Sequence, residues 1–520
     1  MLVFTSVEAL TYPAMSFTAP AEFQIADYFL DARVAEGRGA RVALHTEERS
    51  YTYEEVQREA NRYAALLVEA GVQPEQRVIL SLRDGLPFVA ALFGVLKMGG
   101  VVVMLNPELK AAQVDYFLDY TRARAAFVER DHAALFEAGA ARGRLLEHVM
   151  VVDAPEFEAR RDAAPATFEN FPTHRDDAAI WLFSGGTTGK PKAVVQTHRS
   201  FAYTTECYGK QTLAMTEDDV TLSVPKLFFG YATGINLLFP FSVGAACVLF
   251  DDRCTEARIF ELIARFRPTV LVNVPTMIKK LLDNPTAGEQ DLSCLRLATS
   301  AGEALPPPLH ERWDAAYGVD LLDGLGTAEM WHIFISNRPG DVRKGTIGRV
   351  VEGFEVKVCD DQGAELGDGE TGWLWVRGGA RALGYWQQLE KTSWGFRGEW
   401  YVSGDLVTRD QDGYYHYGGR ADDMLKVSGK WLATREVEDC LEAHDAVREA
   451  AVVGVVDGDG LTKPHAFVVP LATAPGLEEA LQGWVKDRLE PYKYPRKVTL
   501  MADLPRTHLG KVDRGRLRQL

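Results

Sequence analysis

Residues 183–193 read FSGGTTGKPKA, and the fold assigned to the chain turns on what this loop holds. Glycine-rich loops with a lysine often cradle phosphates, because backbone N–H groups can point at the oxygens and glycine lets the chain approach closely. The most familiar cradle, G-x-x-x-x-G-K-[ST], is not present. Pro191 follows Lys190 where that pattern needs Ser or Thr, and Ser184 occupies the place of its first glycine. The chain then runs into AVVQTH, which reads as a strand rather than as a helix offering its N-terminus to phosphate. What is left is a loop between two strands. Its donors are the hydroxyls of Ser184, Thr187 and Thr188 and the ammonium groups of Lys190 and Lys192. By composition it suits a nucleotide clamp and a plain turn equally.

On either side of the loop the pattern is α/β. Short β-branched runs (RVALHT at 41, RVILSL at 77, VMVVD at 149, TVLVNVP at 269, LRLATS at 295) alternate with amphipathic stretches. The helix after SYT is expected to start with a capping box, Thr52 with Glu55 three residues on. From 345 to 417 the texture changes to short strands separated by turns, which predicts a small antiparallel β-unit. The last hundred residues read helix, strand, strand, helix, a compact α+β domain. The expected organisation is a large α/β N-terminal domain of several subdomains with a β-unit, residues 1–421, and a small mobile α+β C-terminal domain, residues 422–520. The stretch GGRADDMLKVSGKW at 418–431 is read as the linker.

At 520 residues and 47% hydrophobic, the chain can bury two or more cores. It carries 57 Lys and Arg against 73 Asp and Glu, a net charge of −16 with the acids scattered, which argues against nucleic acid or an anionic membrane surface as partner. Six cysteines without C-x-x-C or metal spacing suit a reducing compartment. No Lys or Arg precedes Arg33 to serve a secretory signal, so the expected location is the cytoplasm. The most apolar window, FVAALFGVLKMGGVVVML at 88–105, contains Lys97 and a Gly99-Gly100 break. It fits a buried helix, a turn and a strand better than a membrane span.

Five further segments follow in order: TSAGEAL at 299–305, DGLGTAEMWHIF at 323–334, WYVSGD at 400–405, GGRADD at 418–423 and LPRTHLGKVDR at 504–514. With the loop they resemble the adenylate-forming superfamily of acyl-CoA ligases, peptide-synthetase adenylation domains and firefly-type luciferases, over nearly the whole chain. The family loop Y-T-S-G-T-T-G-K-P-K-G matches 183–193, with Gly185 at its second hydroxyl position and Ala193 for its last glycine. The resemblance implies that this loop closes on the β- and γ-phosphates of ATP. It implies that Ala301, Gly302 and Glu303, with Asp323 and Gly324, serve the nucleotide, and that Glu329 binds Mg²⁺, a task suited to a hard carboxylate. Asp405 would accept from the ribose hydroxyls and Arg420 would contact ribose or phosphate. Ala328 stands where the family has the Thr that holds the α-phosphate. Thr327 is the candidate substitute, although in a strand its side chain would point to the other face. Asp422 matches the hinge about which the C-terminal domain turns between two half-reactions.

Lys511 matches the catalytic lysine of P-x-T-x-x-G-K-x-x-R. The physical need is plain: a carboxylate must attack an α-phosphate that is itself anionic, and an ammonium group aimed at both relieves the repulsion. The implied reaction joins an acid and MgATP into an acyl adenylate and pyrophosphate. Coenzyme A then displaces AMP, with Ser428, Gly429, Lys430 and Trp431 facing the thiol's tunnel.

Two stretches, KLFFGYATGINLLFPFSVGA from Lys226 and EMWHIFISNRPGDVRKGTIGRVVEGFEVKV from Glu329, resemble the benzoate-CoA ligase branch. By that resemblance Gly230, Tyr231, Ala232, Gly302, Gly326, His332 and Ile333 line a short flat pocket for an aromatic acid, with Lys426 near its carboxylate. A buried strand of ordinary kind is the alternative for His332 and Ile333. That branch usually has Ala at the position of Gly230, which implies room for about one more methyl group. The expected substrates are 2-aminobenzoate first and benzoate second. A carrier protein in place of coenzyme A, a homodimeric assembly and a non-catalytic ligand-binding role are the alternatives carried forward.

Overall fold

In the computed structural model the described residues are 17–143, 145–185, 190–421, 424–427, 430–432, 434–456, 462–472, 474–506 and 512–520. They fall into two compact units, the first made of Met1–Ser184, Ala193–Glu355 and Arg377–Tyr401 and the second of Gly185–Lys192, Val356–Val376 and Val402–Leu520.

The first unit is built on two largely parallel sheets. One has seven strands, with Arg77–Ser81 between Val101–Met104 and Ala125–Val128 and the strand Ala178–Ser184 on the far side of Val101–Met104. Its register is parallel, Arg77 opposite Val101 and Leu80 opposite Met104. The other has nine strands, with Val220–Ser223, Val270–Asn273, Leu297–Ser300 and Leu321–Gly326 at its centre. These segments are continuous apolar runs because helices cover both faces of a parallel sheet. The apolar window at 88–105 becomes the helix Leu86–Lys97 and the strand Val101–Met104, joined through Gly99 at φ 78°. Every residue of the helix from Phe88 onward is buried. Lys97, only 1% exposed, is matched by Asp31, whose carboxylate lies 2.5 Å from its ammonium group. The helix Tyr53–Glu69 begins with the expected capping box: Glu55 N–H donates to Thr52 Oγ1 at 3.2 Å and Thr52 N–H to the Glu55 carboxylate at 2.8 Å.

In the second unit Asp405–Arg409, the end of the strand Trp400–Arg409, pairs antiparallel with Tyr415–Arg420, as the turn-rich texture predicts. The last hundred residues form a three-stranded sheet: Val447–Val456 runs antiparallel to Thr462–Pro470, which runs parallel to Lys497–Leu500. Helices Thr434–Glu442 and Leu477–Lys486 cover it through Leu441, Leu481, Val452 and Val468. The stretch expected as a linker carries more structure than that. Gly418 to Arg420 complete a strand, and Leu425–Val427 forms an antiparallel ladder with Lys430–Leu432.

Candidate active site

The loop at 183–193 does join two strands: Ser184 ends Ala178–Ser184 and Lys192 opens Lys192–Thr197. Thr187 and Thr188 lie outside the described residues, as do Asp422, Ser428, Gly429 and Lys511. Lys426, Lys430 and Trp431 belong to the two-stranded ladder, with Lys426 opposite Trp431 and Val427 opposite Lys430.

In the first unit, the strand Leu321–Gly326 stops at Gly326. Thr327 is therefore not a strand residue, contrary to the sequence reading. It is the extended residue that precedes the short 3₁₀ turn Ala328–Met330, so the face it presents is not fixed by strand alternation. Its Oγ1 is buried without a hydrogen-bond partner, a polar atom that an anionic ligand oxygen would satisfy. Glu329 follows, 3% exposed, and accepts a hydrogen bond at Oε1 from the Tyr385 hydroxyl at 2.7 Å. Sequence reasoning missed Tyr385, which has no motif of its own and reaches Glu329 from 56 residues away along the chain.

The next residue but one makes the sharpest bend of the region. Trp331 has φ 59° and ψ −48°, and His332 N–H donates to the Met330 carbonyl at 2.8 Å. This is a γ-turn of the rare, strained positive-φ form. It sets His332 ahead of the strand Ile333–Ser336, so His332 is a turn residue and only Ile333 matches the buried-strand alternative. Gly326 pairs with Ile333 across a register shift, and a Cβ at Gly326 would collide with the His332 carbonyl group. Only glycine lets the two segments close so tightly.

His332 is ringed by Tyr208, Tyr231 and Phe239, centroids 5.5, 5.5 and 4.9 Å away. Its Nε2 lies 3.0 Å from the Tyr231 carbonyl oxygen. A carbonyl only accepts, so Nε2 carries the proton and Nδ1, buried and unpartnered, is the bare nitrogen. Burial lowers the His332 pKa to about 4, which keeps the ring neutral near pH 7. The Tyr231 hydroxyl donates to Thr299 Oγ1 at 2.6 Å. Asp323, on the same strand as Gly324, has its carboxyl pushed well above the usual range by burial. Ala301 is buried and Gly302 takes φ 85°, while Glu303 is exposed and accepts from Thr276 Oγ1 at 2.7 Å.

Gly230 opens the short helix Gly230–Thr233, which also holds Tyr231 and Ala232. The extra methyl of room expected there is not free. A Cβ on Gly230 would lie 3.2 and 3.3 Å from the two methyl carbons of Leu182, closer than relaxed contact. Leu182, on Ala178–Ser184, already takes up most of that space. The segment ahead of the helix is held by Asp84, whose Oδ1 accepts from Leu227 N–H at 2.9 Å. Burial pushes the Asp84 carboxyl up to about 6, against the pull of Lys226 and the Leu227 N–H. The folded chain thus keeps this proton over a pH range, from the ordinary value of 3.8 to about 6, in which the unfolded chain has lost it. Stability linked to Asp84 is accordingly fully present at low pH and is lost as pH rises through the folded value, by about 3 kcal/mol in all. Asp84→Asn is expected to melt higher than wild type at pH 7.5, with the difference narrowing toward pH 5. Melting curves across that range check it.

In the second unit, Asp405 and Arg420 are fifteen residues apart in sequence and directly opposite in the antiparallel ladder. Asp405 is 4% exposed. Its Oδ2 accepts from Ser403 Oγ at 3.0 Å, and Oδ1 accepts from the Tyr417 hydroxyl and from Arg420, both at 3.2 Å. That pairing explains why a lone Asp and a distant Arg belong to one feature.

Glu329 offers Mg²⁺ one hard carboxylate, and no cluster of three or more acidic, His or Cys ligands occurs among the described residues. One carboxylate fits an ion that takes its other ligands from phosphate and water. Among the described residues no helix is long and apolar enough to cross a membrane.

The chain matches the AMP-binding enzyme family over residues 31–386 and the AMP-binding enzyme C-terminal domain over residues 436–511. It is 41% identical over 517 residues to a benzoate–CoA ligase of Thauera aromatica, covering 98% of each chain. Among solved structures, an anthranilate CoA ligase in complex with anthranoyl-AMP superposes with a TM-score of 0.91 at 38% identity, covering 96% of this chain and 97% of that one. A benzoate CoA ligase from Burkholderia xenovorans LB400 gives 0.87 at 41%, covering 95% and 100%. By these matches the chain belongs to the AMP-binding enzymes, on the aryl-CoA ligase branch.

Proposed function

We propose that this chain is an ATP-dependent aryl-CoA ligase. A benzoate-type acid attacks the α-phosphorus of ATP, the bond to the β-phosphate oxygen breaks, and pyrophosphate leaves. The thiol of coenzyme A then attacks the carbonyl of the mixed anhydride, loses its proton, and expels AMP. The observation that carries this reading is the stretch 326–333, which joins a buried carboxylate at Glu329 to a neutral His332 set among aromatic rings. Phosphate chemistry and a flat apolar ring are thereby served by neighbouring residues. Rings around the pocket and a glycine at its edge suit a planar acid and exclude long acyl chains.

In this reading Ser184, Thr187, Thr188, Lys190 and Lys192 hold the outgoing phosphates. Thr327 takes over the α-phosphate contact that Ala328 cannot make. Asp405 and Arg420 hold the ribose, while Ala301, Gly302, Glu303, Asp323 and Gly324 border the nucleotide. Mg²⁺ held by Glu329 would offset phosphate charge as the pyrophosphate departs. Gly230, Tyr231, Ala232, Gly302, Gly326, His332 and Ile333 line the acid pocket. Lys511 supplies the cation between carboxylate and α-phosphate. Residues 422–520 turn about Asp422 between the two half-reactions, bringing Ser428, Gly429, Lys430 and Trp431 to the thiol and removing Lys511.

Benzoate, 2-aminobenzoate, 2-hydroxybenzoate and hexanoate, compared by kcat/KM with coenzyme A as acceptor, test the reading. We expect the aromatic acids to lead hexanoate by at least about a hundredfold. With Leu182 filling the space beside Gly230, benzoate and 2-aminobenzoate should differ by about tenfold or less, one methyl-sized group. A preference for hexanoate would sink the aryl assignment.

A further inference from the structure

The acid pocket assigned above rests on a short helix whose entry is fixed by a residue outside every motif, and the inference that follows rests on that pocket assignment. Asp84 lies between the strand Arg77–Ser81 and the helix Leu86–Lys97. Leu227 lies 143 residues further on, in the segment after Val220–Ser223. Its N–H is held by Asp84 Oδ1 at 2.9 Å and its carbonyl by Thr233 Oγ1 at 2.5 Å. Both polar groups of one residue are therefore spent on side chains. Thr233 Oγ1 also lies 3.0 Å from the Phe229 carbonyl, and Phe229 N–H donates to the Lys226 carbonyl at 2.9 Å. Leu227 and Thr233 are both 0% exposed, so water cannot replace these bonds.

The backbone that presents Asp84 is itself tied down. Neighbouring Arg83 donates its N–H to Glu129 at 3.1 Å and its guanidinium to Asp131 at 2.5 Å. On the other flank Lys226 donates to the Phe250 carbonyl at 2.6 Å and sits 3.3 Å over the Phe250 ring. A turn tied at this many points carries Gly230, Tyr231 and Ala232 with little freedom, and a shift of an ångström at its entry would move all three.

We propose that Asp84, with Thr233, is a positioning residue for the aromatic acid: it fixes the peptide at Leu227 and thereby the depth and tilt of the helix Gly230–Thr233 against the bound ring. Asp84 touches neither acid nor nucleotide in this role, so its loss should be felt by one substrate only.

Steady-state kinetics of the full-length chain, varying benzoate and ATP in turn, test it. Asp84→Ala is expected to raise KM for benzoate about tenfold, the effect of leaving one buried N–H unpaired, with KM for ATP within about twofold. Asp84→Asn keeps an acceptor oxygen and should bring the benzoate KM back to within about threefold of wild type. Unchanged benzoate KM in Asp84→Ala, an equal rise for both substrates, or no recovery in Asp84→Asn overturns the proposal. Thr233→Val, similar in volume, stands in if Asp84→Ala does not fold, and no rise in its benzoate KM also overturns it. Gly230→Leu separates the two levels. If it leaves the benzoate KM unchanged, the pocket assignment fails and the proposal with it; if it raises that KM while Asp84→Ala does not, the proposal alone fails.

Discussion

Lys511→Ala is expected to slow aroyl-adenylate formation by about 10² to 10³-fold while thioester formation from added aroyl-AMP stays near the wild-type rate. The reason is electrostatic. The first half-reaction brings a carboxylate onto an anionic α-phosphate, and a preorganised ammonium group lowers the energy of that encounter more than it lowers either reactant. In the second half-reaction the acid is already joined to the phosphate as a mixed anhydride and the attacking group is a thiol, so the same cation has little left to stabilise. Isotope exchange between pyrophosphate and ATP measures the first rate, and release of AMP from preformed adenylate measures the second. Equal losses in both would point to a damaged fold. Unchanged exchange would assign the cation to another residue, with Lys190 and Lys192 the first to test.

The second large effect is expected at Asp405. In the proposed ribose role, a carboxylate held by Ser403, Tyr417 and Arg420 would accept from two vicinal hydroxyls, and hydrogen bonds to a charged group contribute about 1.5 to 3 kcal/mol each. Asp405→Ala should therefore lower kcat/KM for ATP by about a hundredfold or more and leave KM for benzoate nearly unchanged. The 2′-deoxy nucleotide provides the control. Wild type should lose activity on removal of the 2′-hydroxyl, whereas Asp405→Ala should be almost indifferent to it. An equal 2′-deoxy penalty in both proteins would remove Asp405 from the ribose site.

The parallel strands were legible because a sheet covered on both faces must be written in unbroken apolar runs, as at 77–81 and 101–104. The capping box at Thr52 was legible because its two hydrogen bonds span three residues. The Asp405–Arg420 pairing and the helper hydroxyl of Tyr385 were not, since both depend on strand register or on chain returning from far away. Thr327 misled for a related reason. Alternation along a strand applies only while the strand lasts, and the strand ends one residue before it. Leu182 and Asp84 carry no motif, and their importance comes from what a glycine lacks and what a buried N–H needs, neither of which is written locally. The stretch at 418–431 read as linker because it is rich in Gly, Asp and Ser, yet its described residues include the end of the strand Tyr415–Arg420 and the ladder of Leu425–Val427 with Lys430–Leu432.

The strained turn at Trp331 has a bearing on redesign. Only two residues separate Glu329 from His332, and the bend between them is backed by Phe201, 4.4 Å from the Trp331 ring centroid. With His332 at the acid and Glu329 at the nucleotide, as proposed, a library that varies His332 for new acids is expected to disturb the nucleotide end as well, because the two residues flank one strained turn. Acid preference is better exchanged as a cassette, residues 326–333 together with Phe201, than one position at a time.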